Sequence, residues 1–330
     1  MKNFKGIIVI IITVSLVLLC GCSTDRENDG PTITTTLLGG SPSGVWFALS
    51  TAISESLSQS YEGSIVHSSP GNNYSNLFRT NDFETEFALA NSTLAFESFY
   101  GKGSFESKLE NLRSIACFYE SVAHLAISAD LGISSFEEII ENKIPIRISI
   151  GSAEGTGEGG FIKLVSLYGV TLEDMEAWGC KLYRVGNSES ADLFADGQID
   201  GMWKVTSAPT PTLTQAATNT DLVMVTFSEE IIEGMKKEYG YSGFTIRKEA
   251  YAFMNEDYNT FTEYTILIAS SETSDETAYK ITKAIHENLD YISSVHSSLE
   301  GKTAESLIQN LQIPLHPGAE KYYREAGLID

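Results

Sequence analysis

The chain has 330 residues, 42% of them hydrophobic, and a formal net charge of −22. That excess of acid argues against a nucleic-acid partner, which needs clustered Lys and Arg, and against adhesion to anionic lipid head groups through surface charge. The body, about 300 residues, is long enough to bury a substantial core and to divide into two lobes.

Lys2 and Lys5 open the chain, and residues 7–19 form an almost unbroken apolar run. A membrane-spanning helix needs about 20 apolar residues; this shorter run fits the centre of a secretory signal peptide. Leu19-Cys20-Gly21-Cys22-Ser23 follows and resembles the lipobox of bacterial lipoproteins. The resemblance implies that residues 1–21 are removed and that Cys22 is acylated. An uncleaved N-terminal anchor helix is the alternative. Two or more acyl chains hold a protein stably at a membrane where one does not. Residues 22–30 lack apolar periodicity and read as a flexible tether, reaching at most about 28 Å beyond Cys22. Removing the leader takes away two lysines and no acid, leaving a net charge of −24. Of the remaining cysteines, Cys117 and Cys180 sit in separate apolar stretches and are expected to be buried free thiols.

Along the body, a strand over 32–38 ends in a glycine-rich loop, Gly39-Gly40-Ser41-Pro42-Ser43-Gly44. A helix then starts near Ser43 with Val45, Trp46, Leu49, Ile53 and Leu57 on one face. Strands are expected over 64–67, 87–90, 112–119 and 123–128. The second half repeats the alternation: a capped helix from Ser134, a strand over 144–150, a glycine-rich loop over 151–160 leading into a helix, and strands over 181–185 and 199–205. A strand over 262–269 and one long amphipathic helix over 274–295 close the pattern. Strands alternating with helices imply α/β units with mainly parallel sheets. The loops at the C-terminal strand ends are where open α/β sheets bind ligands, and helix N-termini there favour an anion.

Catalytic signatures are missing. Gly39-Gly40-x-x-x-Gly44 lacks the dinucleotide spacing, and Gly155-x-Gly157-x-Gly159 has no P-loop lysine behind it. The histidines are scattered, and His124, inside an apolar strand, reads as a hydrogen-bonded core residue. Glu137, Glu138 and Glu141 read as one solvated helix face. Asn91-Ser92-Thr93 matches a glycosylation sequon, a reading that a bacterial lipobox disfavours.

Four motifs carry a family resemblance: Gly39-Gly40-Ser41-Pro42-Ser43-Gly44-Val45-Trp46-Phe47; the segment 111–125; Ala195-Asp196-Gly197-Gln198-Ile199-Asp200-Gly201 followed by Ser207-Ala208-Pro209-Thr210-Pro211; and Ile313-Pro314-Leu315-His316-Pro317-Gly318-Ala319-Glu320-Lys321-Tyr322-Tyr323. Together they resemble the TAXI family, the TRAP-associated extracytoplasmic immunogenic proteins, over residues 32–328. The resemblance implies a two-lobed periplasmic-binding-protein type II fold, each lobe a mainly parallel sheet flanked by helices with the ligand cleft between them. Residues 31–128 and 263–330 would form lobe 1 and residues 129–262 lobe 2. It also implies capture of a small organic acid or amino acid, glutamate-like, and delivery to TRAP membrane permease subunits. Such a protein is a lipid-anchored extracytoplasmic monomer rather than an enzyme, with no cofactor and no metal. A solute-binding lipoprotein of an ATP-driven importer is the second reading, and a secreted enzyme or adhesin on an α/β scaffold the third.

Gly40, Ser41, Ser43, Gly44 and Trp46 in the first loop are the leading contact candidates, with Asn72, Asn73 and Asn91 at the next strand ends and Tyr119 on the strand before the hinge, where the chain is expected to cross between lobes near residues 125–130 and return near residues 262–270. From the second lobe come Glu154, Gly155, Thr156, Lys204 and Ser207. Glu154 stands where the family usually has a small residue, and its carboxylate would repel an acidic ligand. Lys204 would pair with Glu154, meet the ligand, or face solvent. An anchor would keep a receptor within reach of its permease in a cell that lacks an outer membrane. Cys22→Ala is therefore expected to abolish lipid labelling and to move the protein from the membrane fraction to the medium, as cell fractionation would show.

Overall fold

The computed structural model describes residues 32–153, 155–218 and 220–330. The leader, Cys22, the 22–30 tether and Glu154 lie outside the described residues. Strand β1 (Thr34–Leu38) turns into helix Val45–Ser60, whose Leu49, Ile53 and Leu57 are spaced by four and fully buried, the stripe an amphipathic helix needs. A Cβ on Gly40 would lie 2.8 Å from the Trp46 Cβ, so only glycine lets the loop turn back over the helix start. Strands β2 (Ile65–Ser69) and β3 (Phe87–Asn91) flank β1 in parallel.

The next strand departs from expectation. Residues 112–119 and 123–128 are not two strands but one, β4 (Leu112–Ser128). Its apolar pattern breaks at Glu120-Ser121, yet the ladder continues there: Glu120, Ser121 and Val122 face Tyr264, Glu263 and Thr262 of β10 (Tyr258–Ser270). These two long antiparallel strands carry the whole sheet between them.

Beyond β4 lie three parallel strands, β5 (Arg147–Ser149), β6 (Lys181–Tyr183) and β7 (Gly201–Thr206). β8 (Leu222–Met224) and β9 (Ser242–Ile246) pair with β4 and β10. The strand order is β2-β1-β3-β10-β4-β7-β5-β6. Each end of this curled sheet is parallel and helix-flanked, giving the two-lobed α/β architecture. The helix expected over 274–295 is broken into Asp275–Glu287 and Leu289–Ser294. The break falls at Asn288, whose amide donates back to the Ala284 carbonyl and to Ser60 Oγ.

Packing divides within the long strands. Val122, Leu125 and Ile127 join a cluster built on Trp203, Phe161, Phe227 and Phe261. Ile115, Ala116 and Phe118 of the same strand join another, with Leu49, Ile281 and Tyr323. The C-terminal motif 313–323 clasps the latter. Ser114 N–H donates to Pro314 O, His316 N–H to Ser114 O, and the Tyr323 hydroxyl to Ile115 O at 3.0 Å. Buried His316 accepts from Gly318 N–H through Nδ1 and so donates through Nε2 to Thr273 O. The motif's polar residues thus hold the last helix (Pro317–Glu325) against β4.

Cys117 and Cys180 are buried and unpaired. Burial pushes the Cys117 thiol up to about 12, and a thiol reacts as its thiolate. In a chain starting after residue 30, Ellman's reagent is expected to find both thiols after denaturation without reductant and almost none in the native protein.

Candidate functional site

A cleft of about 280 Å³ opens where β3, β4 and β10 meet the N-termini of helices Val45–Ser60 and Thr156–Leu167. It brings together five of the residues singled out from sequence: Trp46, Asn73, Asn91, Tyr119 and Thr156. Ser121, Glu263 and Thr265 complete its lining. Trp46 is oriented by its indole N–H, which donates to Thr265 Oγ1 at 2.9 Å. Asn73 is oriented by its Oδ1, which accepts the Asn91 N–H at 3.1 Å. Burial raises the Tyr119 phenol above its ordinary range, against hydrogen bonding to Thr265 and Trp46.

Glu263 is the centre of the polar network. It is 4% exposed. Its Oε1 accepts from Asn91 Nδ2 at 2.8 Å and its Oε2 from the Thr93 hydroxyl at 2.7 Å. Between them, Ser92 Oγ accepts the Tyr264 N–H at 3.0 Å. Asn91-Ser92-Thr93, a sequon by sequence, is here a three-residue clamp on β10. Burial raises the Glu263 carboxyl above its ordinary range, and the Thr93 hydrogen bond and the charge of Lys163 oppose it. Lys163 itself pairs with buried Glu97 at 2.7 Å and lies over the rings of Tyr239 and Tyr241.

The other sequence candidates are placed around this cleft or away from it. Ser41 and Ser43 are exposed on the first loop, where the Ser41 carbonyl accepts the Gly44 N–H at 2.9 Å. Gly44 and Gly155 are the N-caps of the two facing helices. Asn72 caps the next helix through the Ser75 N–H. The loop base is held instead by buried Asn76, whose amide donates to Gly39 O at 2.9 Å and Leu89 O at 2.8 Å. In the second lobe the Trp203 indole donates to Gly157 O at 2.7 Å, which ties the helix N-terminus at Thr156 to the core. Ser207 is half-buried, just before the cis Ala208–Pro209 bond.

Lys204 faces neither solvent nor Glu263. It is 2% exposed. Its register partner on β4 is His124, whereas Glu263 faces Ser121, three residues earlier. With a pleat of period two, Lys204 and Glu263 lie on opposite faces of the sheet. His124 is a buried, hydrogen-bonded residue. Its Nδ1 donates to Val122 O at 2.8 Å, Nε2 accepts the Tyr251 hydroxyl at 3.0 Å, and Tyr251 accepts the Thr210 N–H at 2.8 Å. Burial lowers the imidazole to about 4, so it is neutral at physiological pH. Glu137 is also less solvated than expected: Tyr168 and the Ser228 N–H donate to it.

Ser121, Glu263 and Thr265 were missed from sequence because each is a polar residue inside a long strand. Glu263 did carry a signal. It is the lone charge in β10, and a charge buried in a strand is costly unless it is paired or functional. Among the described residues, no cluster of three or more His, Cys, Asp or Glu is placed to hold a metal, and no helix is long and apolar enough to cross a membrane.

This architecture, two helix-flanked lobes joined by long antiparallel strands with a polar cleft at the strand ends, is the two-lobed periplasmic-binding-protein type. A TctC solute-binding protein from Polaromonas, determined without ligand, shares the fold at 13% identity, covering 90% of this chain and 98% of that one with a TM-score of 0.51. PhnD1 from Prochlorococcus marinus in complex with methylphosphonate is similar at 12% identity, 90% and 99% coverage and a TM-score of 0.49. MatC from Rhodopseudomonas palustris with bound malate is similar at 12% identity, 91% and 100% coverage and a TM-score of 0.47. Residues 37–327 match the NMT1-like family, and the chain belongs to that family.

Burial pushes the Lys204 ammonium from 10.5 down to about 8, and its Nζ has no hydrogen-bond partner among the described residues. A lysine depressed in the folded state leaves stability intact above its unfolded value and removes it as pH falls through the folded one. Lys204→Met is therefore expected to raise the unfolding free energy by about 3 kcal/mol at pH 7. Urea melts should show that gain shrinking to nothing as pH approaches 10.5.

Proposed function

We propose that this chain is the extracytoplasmic receptor of a TRAP-type secondary transporter, held at the membrane by acylated Cys22 and capturing a small organic acid or amino acid between its lobes. One observation carries the receptor reading: the cleft draws on both halves of the sheet, with Trp46, Asn73 and Asn91 on one side and Thr156 on the other. Its volume of about 280 Å³ falls just below the roughly 300–1,000 Å³ range of drug-sized ligand sites, in keeping with a small metabolite as solute. Two helix N-termini supply backbone donors for a carboxylate. The TRAP assignment rests on the TAXI-like motifs, and a neighbouring gene with many membrane spans would support it over an ATP-driven importer.

In this reading the lobes swing about the middle of the long strands. Val122, Leu125 and Ile127 pack in the same cluster as Trp203 and Phe161, which supports a first-lobe boundary near residue 121, earlier than the expected 128, with a return near residue 263. The hinge is then residues 119–121 and 262–265, and closure traps the solute between the lobes.

A thermal-shift screen of small acids and amino acids is expected to give a hit, worth about 2.7 kcal/mol at a hundredfold excess over Kd. The same ligand should reduce the radius of gyration in small-angle scattering. No hit among carboxylates would remove the acid-ligand reading, and an unchanged radius at saturation would remove closure.

A further inference from the structure

We infer that Glu263 is the specificity-determining acceptor for a cationic nitrogen of the solute, so the cleft selects amine-bearing compounds over the matching plain acids. This rests on the receptor reading and narrows its solute class. Glu263 lines the cleft and is 4% exposed. A carboxylate offers about four acceptor sites, and Asn91 and Thr93 occupy one on each oxygen. Half of its capacity is left in a place that water scarcely reaches.

The local charges point the same way. Glu97, 2% exposed, and Glu263 are two buried carboxylates, and both feel the charge of Lys163. Lys163 is committed to Glu97 at 2.7 Å and is further engaged by two tyrosine rings. Two acids share one cation, so the site is one positive charge short. Burying a charge without a full partner is expensive, and that deficit accords with the raised Glu263 carboxyl. Lys204 cannot supply the missing charge from the opposite face of the sheet. A protonated amine entering the cleft would do so, while the helix N-termini at Val45 and Thr156 remain available for an acid group on the same solute.

A purely structural Glu263, a strut between β3 and β10, would behave differently, and two measurements separate the cases. The first compares matched probes by calorimetry: L-glutamate against glutarate, L-alanine against propionate, taurine against ethanesulfonate. Binding by an amine-bearing member and none by its partner is the expected result. Equal or tighter binding by a partner lacking the amine overturns the inference and leaves the receptor reading standing, whereas binding by neither set, together with an empty thermal-shift screen, overturns the inference and the acid-ligand reading with it. The second uses Glu263→Gln, which keeps the shape and can still accept from Thr93. It should weaken the bound amine probe by about 30-fold or more, the low end for losing one partner of a buried charge pair. The single remaining oxygen leaves the Asn91 amide without its acceptor, so some fall in the urea midpoint accompanies that loss of affinity. Lower stability with unchanged affinity would make Glu263 a strut and overturn the inference.

Discussion

Strands β4 and β10 run antiparallel through both halves of the molecule, and where they pass from one core cluster to the other the sheet holds a buried acid, Glu263. Much of the cleft depends on how that carboxylate is satisfied. Its two partners, Asn91 and Thr93, come from the end of β3 and the helix that follows. Between them Ser92 accepts the Tyr264 N–H. Asn73 is in turn bonded to the Asn91 N–H, and Trp46 to Thr265, two residues beyond Glu263. Removing the acid would leave the Asn91 amide and the Thr93 hydroxyl without acceptors, at a cost of roughly 1–3 kcal/mol for each buried orphan.

The supports beneath the cleft are apolar. Trp203, packed against Phe161 and Phe261, sends one N–H to Gly157 and so positions the helix N-terminus at Thr156. On the first lobe Leu49, Ile53 and Leu57 seat the opposite helix. At residue 151 the backbone takes φ +99°, a conformation that glycine adopts without strain. That turn lets the β5 chain pass under the helix start. Each lobe therefore presents a rigid helix end to the cleft, and the polar side chains between them come from strand ends fixed by the ladder.

Those strand ends were the legible part of the sequence. Glycine-rich loops, a helix stripe at Leu49, Ile53 and Leu57, and alternating strands and helices all follow from local chemistry, so the α/β alternation and the candidates Trp46, Asn73, Asn91 and Thr156 could be read without coordinates. What could not be read was pairing. Residues 112–119 and 123–128 look like separate strands because Glu120 and Ser121 interrupt the apolar run; only the ladder with β10 makes them one. Lys204 stood out as an unusual cation, but the face it occupies depends on its register with His124, and register is a long-range fact. The Asn91-Ser92-Thr93 triplet showed its residue types and hid its partner, which lies 170 residues away.

Glu263 and Lys204 together show what the sheet tolerates. Both are charges in strands, both are nearly inaccessible, and both have ionisation shifted toward the neutral form by burial. Their surroundings differ in kind. Lys204 has no hydrogen-bond partner among the described residues and does not line the cleft, so its charge acts on the fold as a cost. Glu263 has two donors, a shared counter-charge and an opening beside it, so its charge can be completed from outside. It also stands beside an irregularity in the β4–β10 ladder, between Tyr264 and Ile266. Such irregularities let a paired strand bend. If Glu263 meets a solute as proposed, the place where that solute would neutralise the sheet and the place where the sheet can bend adjoin each other along β10, the arrangement a receptor would need for binding to bias the relation between its lobes.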